Sequence, residues 1–71
     1  MTENLLTPRE EEVLDYLTKG LTNKEIAEIM NVTHHTIKAH ISAILHKFNC
    51  KNRTDAALIA QRKSFVTRLQ D

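Results

Sequence analysis

Apolar positions between residues 34 and 48 recur at intervals of three and four, which is the spacing of one side of a helix. The residues on this side are Ile37, Ile41, Ile44, Leu45 and Phe48. Thr33 precedes them, and threonine is a good N-cap because its hydroxyl can accept a hydrogen bond from the first turn. The pattern predicts a long helix from about His34 to Phe48.

A second, shorter helix is predicted just before the long one. Its apolar residues cluster on one side and are Ile26, Ala27, Ile29 and Met30. Asn31 interrupts the pattern, and asparagine tolerates the left-handed conformation that ends a helix. Val32 follows and is predicted to be buried in the turn. The stretch Asn23–Phe48 therefore reads as a helix-turn-helix, a motif whose second helix enters the major groove of DNA.

Capping patterns add one helix on each side of this motif. Thr7 and Glu10 form a capping-box signature around Pro8, and a second such pair, Thr22 and Glu25, starts the shorter helix. The first helix has a buried stripe and ends at a glycine: Val13, Leu14, Leu17 and Gly20. After a polar connection over residues 49–52, Asn52 can cap a fourth helix, which packs through three small residues: Ala56, Ala57 and Ala60.

These elements predict an all-α fold, a compact four-helix bundle that contains a helix-turn-helix with a long recognition helix. Seventy-one residues make one domain with a small core. We expect a tail over residues 1–6, the domain over residues 7–64, and a tail or helix extension over residues 65–71. The single Cys50 excludes an internal disulfide and fits a reducing cytoplasm.

Charge is unevenly distributed along the chain. Residues 1–30 contain three basic and seven acidic residues (−4), whereas residues 31–71 contain seven basic and two acidic residues (+5), which sums to the net charge of +1. No acid occurs between Asn31 and Thr54. The side of the long helix opposite its apolar stripe therefore lacks acids, and it carries His35, Lys38, Ala39, Ser42, Ala43 and His46. Such a surface can approach the base edges and phosphates of double-stranded DNA.

Four segments carry a resemblance to a known family: LTPRE, GLTNKEIA, the pentad TIKAH, and NRTDAA, within residues 6–60. In this order and spacing the chain resembles the LuxR/GerE-type DNA-binding domain found at the C-terminus of NarL/FixJ-type response regulators. The resemblance implies a bacterial transcription-factor domain that binds DNA as a dimer. Members usually carry a receiver or ligand-sensing domain upstream, and the sequence leaves open whether this chain is an excised domain or a stand-alone protein.

The resemblance also implies roles for individual residues. It assigns base contacts to Lys38, Ala39 and Ser42. His35 lies on the same face, and we therefore expect it to be a fourth base contact. It assigns contacts with the DNA backbone to Thr22, Asn23, Thr36, Lys47 and Arg53. His46 and Lys51 belong to the basic face, and we expect them to contact the DNA backbone as well. Double-stranded DNA and a second copy of the chain are the expected partners, and RNA polymerase is a further candidate.

Dimerisation is predicted on the fourth helix, on the side away from its alanines. Leu58 points outward there, and a helix continuing past Ser64 would extend the same stripe through Phe65 and Leu69. We therefore expect dimer contacts at Leu58, Arg62 and Phe65. The alternative is a helix that ends near Ser64, with Phe65 folding back over the core.

Other functional classes have less support. The histidines at positions 35, 40 and 46 are not spaced to place metal ligands on one helix face, and Cys50 lacks a second cysteine at ligand spacing, so we expect no metal or cofactor. His40 is expected to be a partly buried structural residue. No phosphate-binding loop or general base points to an enzyme, and no segment is long enough to span a membrane. The open alternatives are a domain like region 4 of sigma factors and a protein-interaction module that uses the same basic face.

Overall fold

The structure, a computed structural model, describes residues 6–70, and within the last helix it describes side chains only as far as Arg62. Four helices follow one another in the chain: α1 (Pro8–Thr18), α2 (Asn23–Met30), α3 (His34–Phe48) and α4 (Arg53–Gln70). No strand occurs within residues 6–70. The all-α prediction is confirmed, and the boundaries of the helix-turn-helix agree with those expected from the sequence.

Each helix starts at the cap that the sequence indicates. Thr7, Thr22 and Thr33 each accept a hydrogen bond from the backbone N–H three residues ahead, and both capping boxes are complete. At the start of α4 the side chain of Asn52 accepts from the Asp55 N–H at 2.9 Å. These bonds satisfy donors that the first helical turn leaves without a partner, and they fix where each helix begins.

Three helices end through a residue in the left-handed conformation. Gly20 follows α1 with φ 82°, and Asn31 and Asn49 cap α2 and α3 with φ 58° and 55°. The roles of Gly20 and Asn31 were predicted. That of Asn49 was not, because residues 49–52 show only that the connection is polar. In the turn of the motif the Val32 N–H donates to the Ala27 carbonyl at 3.0 Å, which closes α2 tightly before α3.

The core lies around α3, which packs against all three other helices, while α1 also packs on α4. Its fully buried side chains come from each helix in turn: Val13, Ile26, Ile37, Ile44 and Ala56. Because α3 turns this apolar side inward, its other side must face solvent. Packing against α1, α2 and α4 therefore fixes α3 in place and leaves its polar side exposed.

The structure corrects two details of the predicted core. Ile29 was expected on the buried side of α2 but is 55% exposed, because the arc of Ile26, Ala27 and Met30 leaves it outside at 100° per residue. Val32 is half-buried instead of buried.

At the two ends of the chain the structure covers the predictions only in part. Leu6 was predicted to belong to the N-terminal tail but packs against the core; the rest of that tail, residues 1–5, lies outside the described residues. α4 runs past Ser64 to Gln70. The side chain of Phe65 also lies outside the described residues.

Candidate nucleic-acid interface

The solvent-facing side of α3 is the surface that the sequence predicted. Five of its six residues are exposed and Ala43 is half-buried; the exposed residues are His35, Lys38, Ala39, Ser42 and His46. Ile37 and Ile44 on the other side have no exposed surface. The predicted base-contacting residues Lys38, Ala39 and Ser42 thus lie together on one exposed face, within one turn of the helix.

The chemistry of this face suits a polar, negatively charged surface. Lys38 provides an ammonium group, and within the described part of the chain no carboxylate lies at ion-pair distance from it. Ser42 can both donate and accept a hydrogen bond. Ala39 and Ala43 have small side chains that let a ligand approach the helix closely. We call this surface, composed of His35, Lys38, Ala39, Ser42 and His46, the α3 face.

A second group of predicted contact residues meets at the start of α2. The Arg53 guanidinium donates from Nη1 to Asn23 Oδ1 and from Nη2 to the Leu21 carbonyl oxygen, the latter at 2.9 Å. Thr22 lies next to Asn23 as the N-cap of α2. The structure therefore brings Arg53 to Asn23, which is 30 positions earlier and next to Thr22. The three lie at a helix N-terminus, where backbone N–H groups and the helix dipole favour an anion.

Lys47 lies elsewhere. Its Nζ is 2.7 Å from Oε1 of Glu10, and the two side chains are 24% and 8% exposed. The same Glu10 oxygen accepts from the Thr7 N–H at 2.9 Å. The ammonium group of Lys47 is thus engaged with α1, and its contact with DNA stays a prediction.

The ion pair of Glu10 and Lys47 was missed at the sequence level. The sequence indicated Glu10 only as the partner of Thr7 in a capping box, yet its side chain is also buried, with 6% exposed. The capping box accounts for its contact with Thr7, but no local pattern signals a lysine 37 positions away. What could have suggested it is that Glu10 lies three residues before Val13, on the buried stripe of α1.

The protonation of Glu10 reflects these neighbours. Burial raises the pKa of its carboxyl group, but the Lys47 ammonium, the Thr7 N–H and the nearby His40 together lower it, and the net pKa lies below the usual value of 4.5. Glu10 is therefore a buried carboxylate held in its charged form. His40 is half-buried beside the core, as predicted.

The remaining residues that were predicted to contact the DNA backbone lie around the α3 face. Thr36 is half-buried in the first turn of α3, where its hydroxyl is 3.1 Å from that of Thr33. His46 lies in the last turn of α3. Lys51 is exposed in the connection between α3 and α4. Polar or basic side chains thus occur at both ends of α3.

The predicted dimer residues lie on a different surface. Leu58 is 51% exposed on α4, and Arg62 is also exposed. Together with Asp55 and Ile59 they line a shallow depression of about 220 Å³. Ala56, by contrast, is fully buried against the core, so the inward and outward sides of α4 are those that the sequence indicated.

Two further observations concern other functional classes. Among residues 6–62, no three His, Cys, Asp or Glu side chains come together in a way that could hold a metal ion. In the described part of the chain, none of the helices has the length and apolar character needed to cross a bilayer.

An exposed, acid-free second helix held by three others defines a helix-turn-helix domain of the kind found in bacterial regulators. Residues 4–60 match the family described as bacterial regulatory proteins, luxR family. The chain belongs to this family. The resemblance found in the sequence is thereby confirmed, in preference to a region-4-like sigma-factor domain.

Similar proteins are transcriptional regulators and not enzymes. The chain is 46% identical over 61 residues to the transcriptional regulatory protein LiaR of Bacillus subtilis, covering 86% of this chain and 29% of LiaR. It is 42% identical over 55 residues to the nitrate/nitrite response regulator NarL of Escherichia coli, covering 78% of this chain and 26% of NarL. The chain thus spans less than a third of the length of these relatives.

A solved structure shows the same fold. It is the DNA-binding domain of the response regulator ComA, crystallised in complex with the anti-activator RapF. The two chains share 40% sequence identity and superpose with a TM-score of 0.77, over 80% of this chain and 98% of the other. The four-helix architecture is therefore that of a response-regulator DNA-binding domain.

Proposed function

We propose that this chain binds double-stranded DNA sequence-specifically, as the DNA-binding domain of a transcription regulator, with the α3 face in the major groove. The observation that carries the proposal is that this face is exposed, lacks acids and has Lys38 at its centre. The major groove is about 12 Å wide and admits one α-helix. The side of α3 that the core leaves free is the side that would enter it.

The side chains of the α3 face suit different contacts with DNA. Lys38 can donate to guanine O6 and N7, Ser42 can donate to or accept from a base edge, and Ala39 can contact a thymine methyl group. His35 lies one turn before Ala39 and reaches the neighbouring base pair or phosphate. These contacts would specify the sequence, whereas phosphate contacts would set the position of the helix in the groove.

Phosphate contacts are proposed at both ends of the motif. The start of α2 offers Thr22 and Asn23, with Arg53 behind them, next to the positive end of the helix dipole. The other candidates surround α3 and its following loop and are Thr36, His46, Lys47 and Lys51. Such contacts are independent of sequence and would make the affinity strongly dependent on salt.

We further propose that two copies bind together through α4. Leu58 is a large apolar side chain exposed on a small domain, and Arg62 and Phe65 follow it on the same side of the helix. A two-fold pair would place two α3 faces on successive major grooves, which suits a pseudo-palindromic site. RNA polymerase is a further partner that we propose for the regulator as a whole.

A protein partner for the basic face is the second candidate. It is favoured by one observation, that the similar domain of ComA was crystallised in complex with the protein RapF. The two functions differ in what binding requires. DNA binding requires a duplex, and the logarithm of its binding constant falls linearly with the logarithm of the salt concentration. A protein contact requires no duplex.

Selection from a randomised duplex library, followed by sequencing and by affinity measurement on the selected duplex, tests the proposal. We expect one recurring sequence and a salt-dependent affinity. Lys38→Ala should reduce the preference for this sequence. Lys19→Ala is the matched control, because Lys19 is exposed at the C-cap of α1 and paired with Asp15 at 3.1 Å. No enriched sequence, or equal losses in both variants, would contradict the proposal.

A further inference from the structure

The α3 face begins and ends with a histidine. His35 lies in the first turn of α3 and His46 in the last turn, and both side chains are exposed. They are eleven positions apart in the sequence, which corresponds to about 16 Å along an α-helix and about 20° around it. The two histidines therefore lie nearly in line on one side of α3, with Ala39 and Ser42 between them.

Neither of these histidines has an acid for a partner. Within residues 6–62, no carboxylate lies at ion-pair distance from His35 or His46. The neighbouring charges on α3 are basic, with Lys38 one turn after His35 and Lys47 directly after His46. The helices that pack against α3 carry the acids of this part of the chain: Glu10, Glu11, Glu12 and Asp15 on α1, Glu25 and Glu28 on α2, and Asp55 on α4. A positive charge on either imidazole is therefore not neutralised by the described residues.

Several charged groups of the neighbouring helices are engaged elsewhere. On α1 the carboxylate of Glu10 binds Lys47, and on α2 the carboxylate of Glu25 accepts from the Thr22 N–H at 2.8 Å. On α4 the guanidinium of Arg53 donates to the start of α2. An anion at the α3 face thus meets its two histidines without competition from these groups.

The other two histidines lie in different surroundings. His40 is half-buried near Glu10, whose carboxyl pKa it helps to lower. His34 is exposed in the first turn of α3 but is not part of the α3 face. It therefore provides a matched control for His35, with the same side chain in the same turn.

DNA would bring phosphates next to the two ends of the α3 face. The major groove is about 12 Å wide, which is less than the separation of the two histidines. When Ala39 and Ser42 approach the base edges, the ends of the face lie toward the phosphates that border the groove. Histidine is the side chain whose charge ordinarily changes between about pH 5 and 8. Its protonated form is a cation and binds phosphate more strongly than the neutral form does.

We infer that protonation of His35 and His46 regulates DNA binding, so that the chain takes up protons when it binds a duplex and binds more tightly as the pH falls from about 8 to 5.5. The inference rests on the proposed function and adds regulation to the same face. The duplex keeps its phosphate charge across this range, so the change in affinity comes from the protein. Each imidazolium that meets a phosphate also releases a counterion, which makes the salt dependence steeper at low pH.

The affinity of the 71-residue chain for the selected duplex at the two ends of this pH range tests the inference. Fluorescence anisotropy at several salt concentrations gives the binding constant and its slope against log salt. For the unchanged chain we expect about tenfold tighter binding at the lower pH. We also expect a slope steeper by up to about two units, one for each histidine.

Three variants separate these two histidines from every other source of pH dependence. His35→Gln/His46→Gln cannot gain the charges, so its affinity and salt slope should be the same at both pH values. His35→Lys/His46→Lys carries the charges at both, so it should bind at the higher pH as tightly as the unchanged chain does at the lower. His34→Gln should retain the full pH dependence. Circular dichroism at each pH confirms the fold of all four chains.

Calorimetry measures the proton uptake directly. The duplex is titrated at about pH 6.5, where neutral and charged histidine coexist, in two buffers of different protonation enthalpy. The difference in heat gives the number of protons taken up from the buffer. We expect up to about one more proton for the unchanged chain than for His35→Gln/His46→Gln, because an ordinary histidine is already about half charged at this pH.

The outcomes that contradict this regulation differ from those that contradict DNA binding. Equal affinities of the unchanged chain at both pH values would overturn the inference. So would pH dependence that persists in His35→Gln/His46→Gln or disappears in His34→Gln. If the chain binds the duplex through Lys38 at both pH values but takes up no protons, only the inference is wrong. If it binds no duplex at either pH, the proposed function fails as well.

Discussion

Lys47 Nζ lies 2.7 Å from Glu10 Oε1, and this contact joins the last turn of α3 to the first turn of α1. Both charges are largely buried, so removing one takes an ion-pair contact from the other in a place that water screens poorly. We predict that Lys47→Ala lowers the free energy of unfolding by about 1–3 kcal/mol, the usual effect of losing a hydrogen bond to a charged group. Urea denaturation measures the change.

Lys51→Ala is the control for this prediction, because Lys51 is exposed and its removal should change the free energy of unfolding by less than about 0.5 kcal/mol. Combining Lys47→Ala with Glu10→Gln should cost less than the sum of the single changes, because the two residues act on each other. Equal stability of the Lys47→Ala and Lys51→Ala variants would show that the ion pair contributes nothing.

Glu10 should make stability dependent on pH. Its pKa in the folded chain lies below 4.5, so the unfolded chain takes up the proton first as the pH falls. The stabilisation is complete above about pH 4.5 and is lost as the pH decreases through the folded-state pKa. Glu10→Gln removes this pH-dependent contribution to the free energy of unfolding. Denaturation of both chains across the acid range should give curves that converge at low pH, and parallel curves would contradict the assignment.

Lys38 and Lys51 should contribute differently to DNA binding. Lys38→Ala should cost about 1–3 kcal/mol on the selected duplex and reduce discrimination against other sequences, because Lys38 faces the base edges. Lys51→Ala should weaken binding to all duplexes equally and lower the slope of log K against log salt by about one unit. Fluorescence anisotropy at several salt concentrations separates the two effects. Proportional losses of specific and non-specific binding in both variants would argue against this division.

Asn23 should contact a phosphate through its amide nitrogen, because Arg53 already binds its oxygen. Asn23→Asp preserves an oxygen for Arg53 but replaces the outward donor with a negative charge. We expect weaker binding to every duplex with little loss of stability. Arg53→Ala instead removes two bonds that tie α4 to the start of α2, and should lower the free energy of unfolding by about 1–3 kcal/mol. Unchanged affinity in Asn23→Asp would exclude this contact.

Leu58→Asp should separate dimerisation from DNA contact. Leu58 is exposed on α4 and is not part of the α3 face, so the change should leave the fold and single half-site binding intact. Binding to a duplex with two half-sites should weaken much more, because the two copies would no longer bind together. Equal losses on both duplexes, or none, would place the dimer contact elsewhere.

The sequence predicted the helices well because their boundaries are set locally. A threonine followed three residues later by glutamate defines the starts of α1 and α2, and Asn31 defines the end of α2 through its own backbone conformation. The exposed face of α3 was predictable for a similar reason. Once Ile37, Ile41 and Ile44 are buried, the helical repeat determines which residues face solvent.

Contacts between distant residues could not be predicted in this way. The ion pair of Glu10 with Lys47 and the bonds of Arg53 to Asn23 and Leu21 depend on how α1, α3 and α4 pack. No local pattern encodes that packing. The exposure of Ile29 could not be predicted for the same reason, because the side of a short helix that is buried depends on where the neighbouring helices lie.

Whether α3 enters the major groove can be tested by nuclear magnetic resonance, by mapping the backbone amide signals as the selected duplex is added to the isotope-labelled chain. We predict the largest changes at the start of α2 around Asn23 and at the amides of four residues of the α3 face: His35, Lys38, Ala39 and Ser42. The exposed residues Glu12 and Asp15 on α1 should change little. Largest changes on α1, or no change on the α3 face, would contradict the claim that α3 enters the major groove.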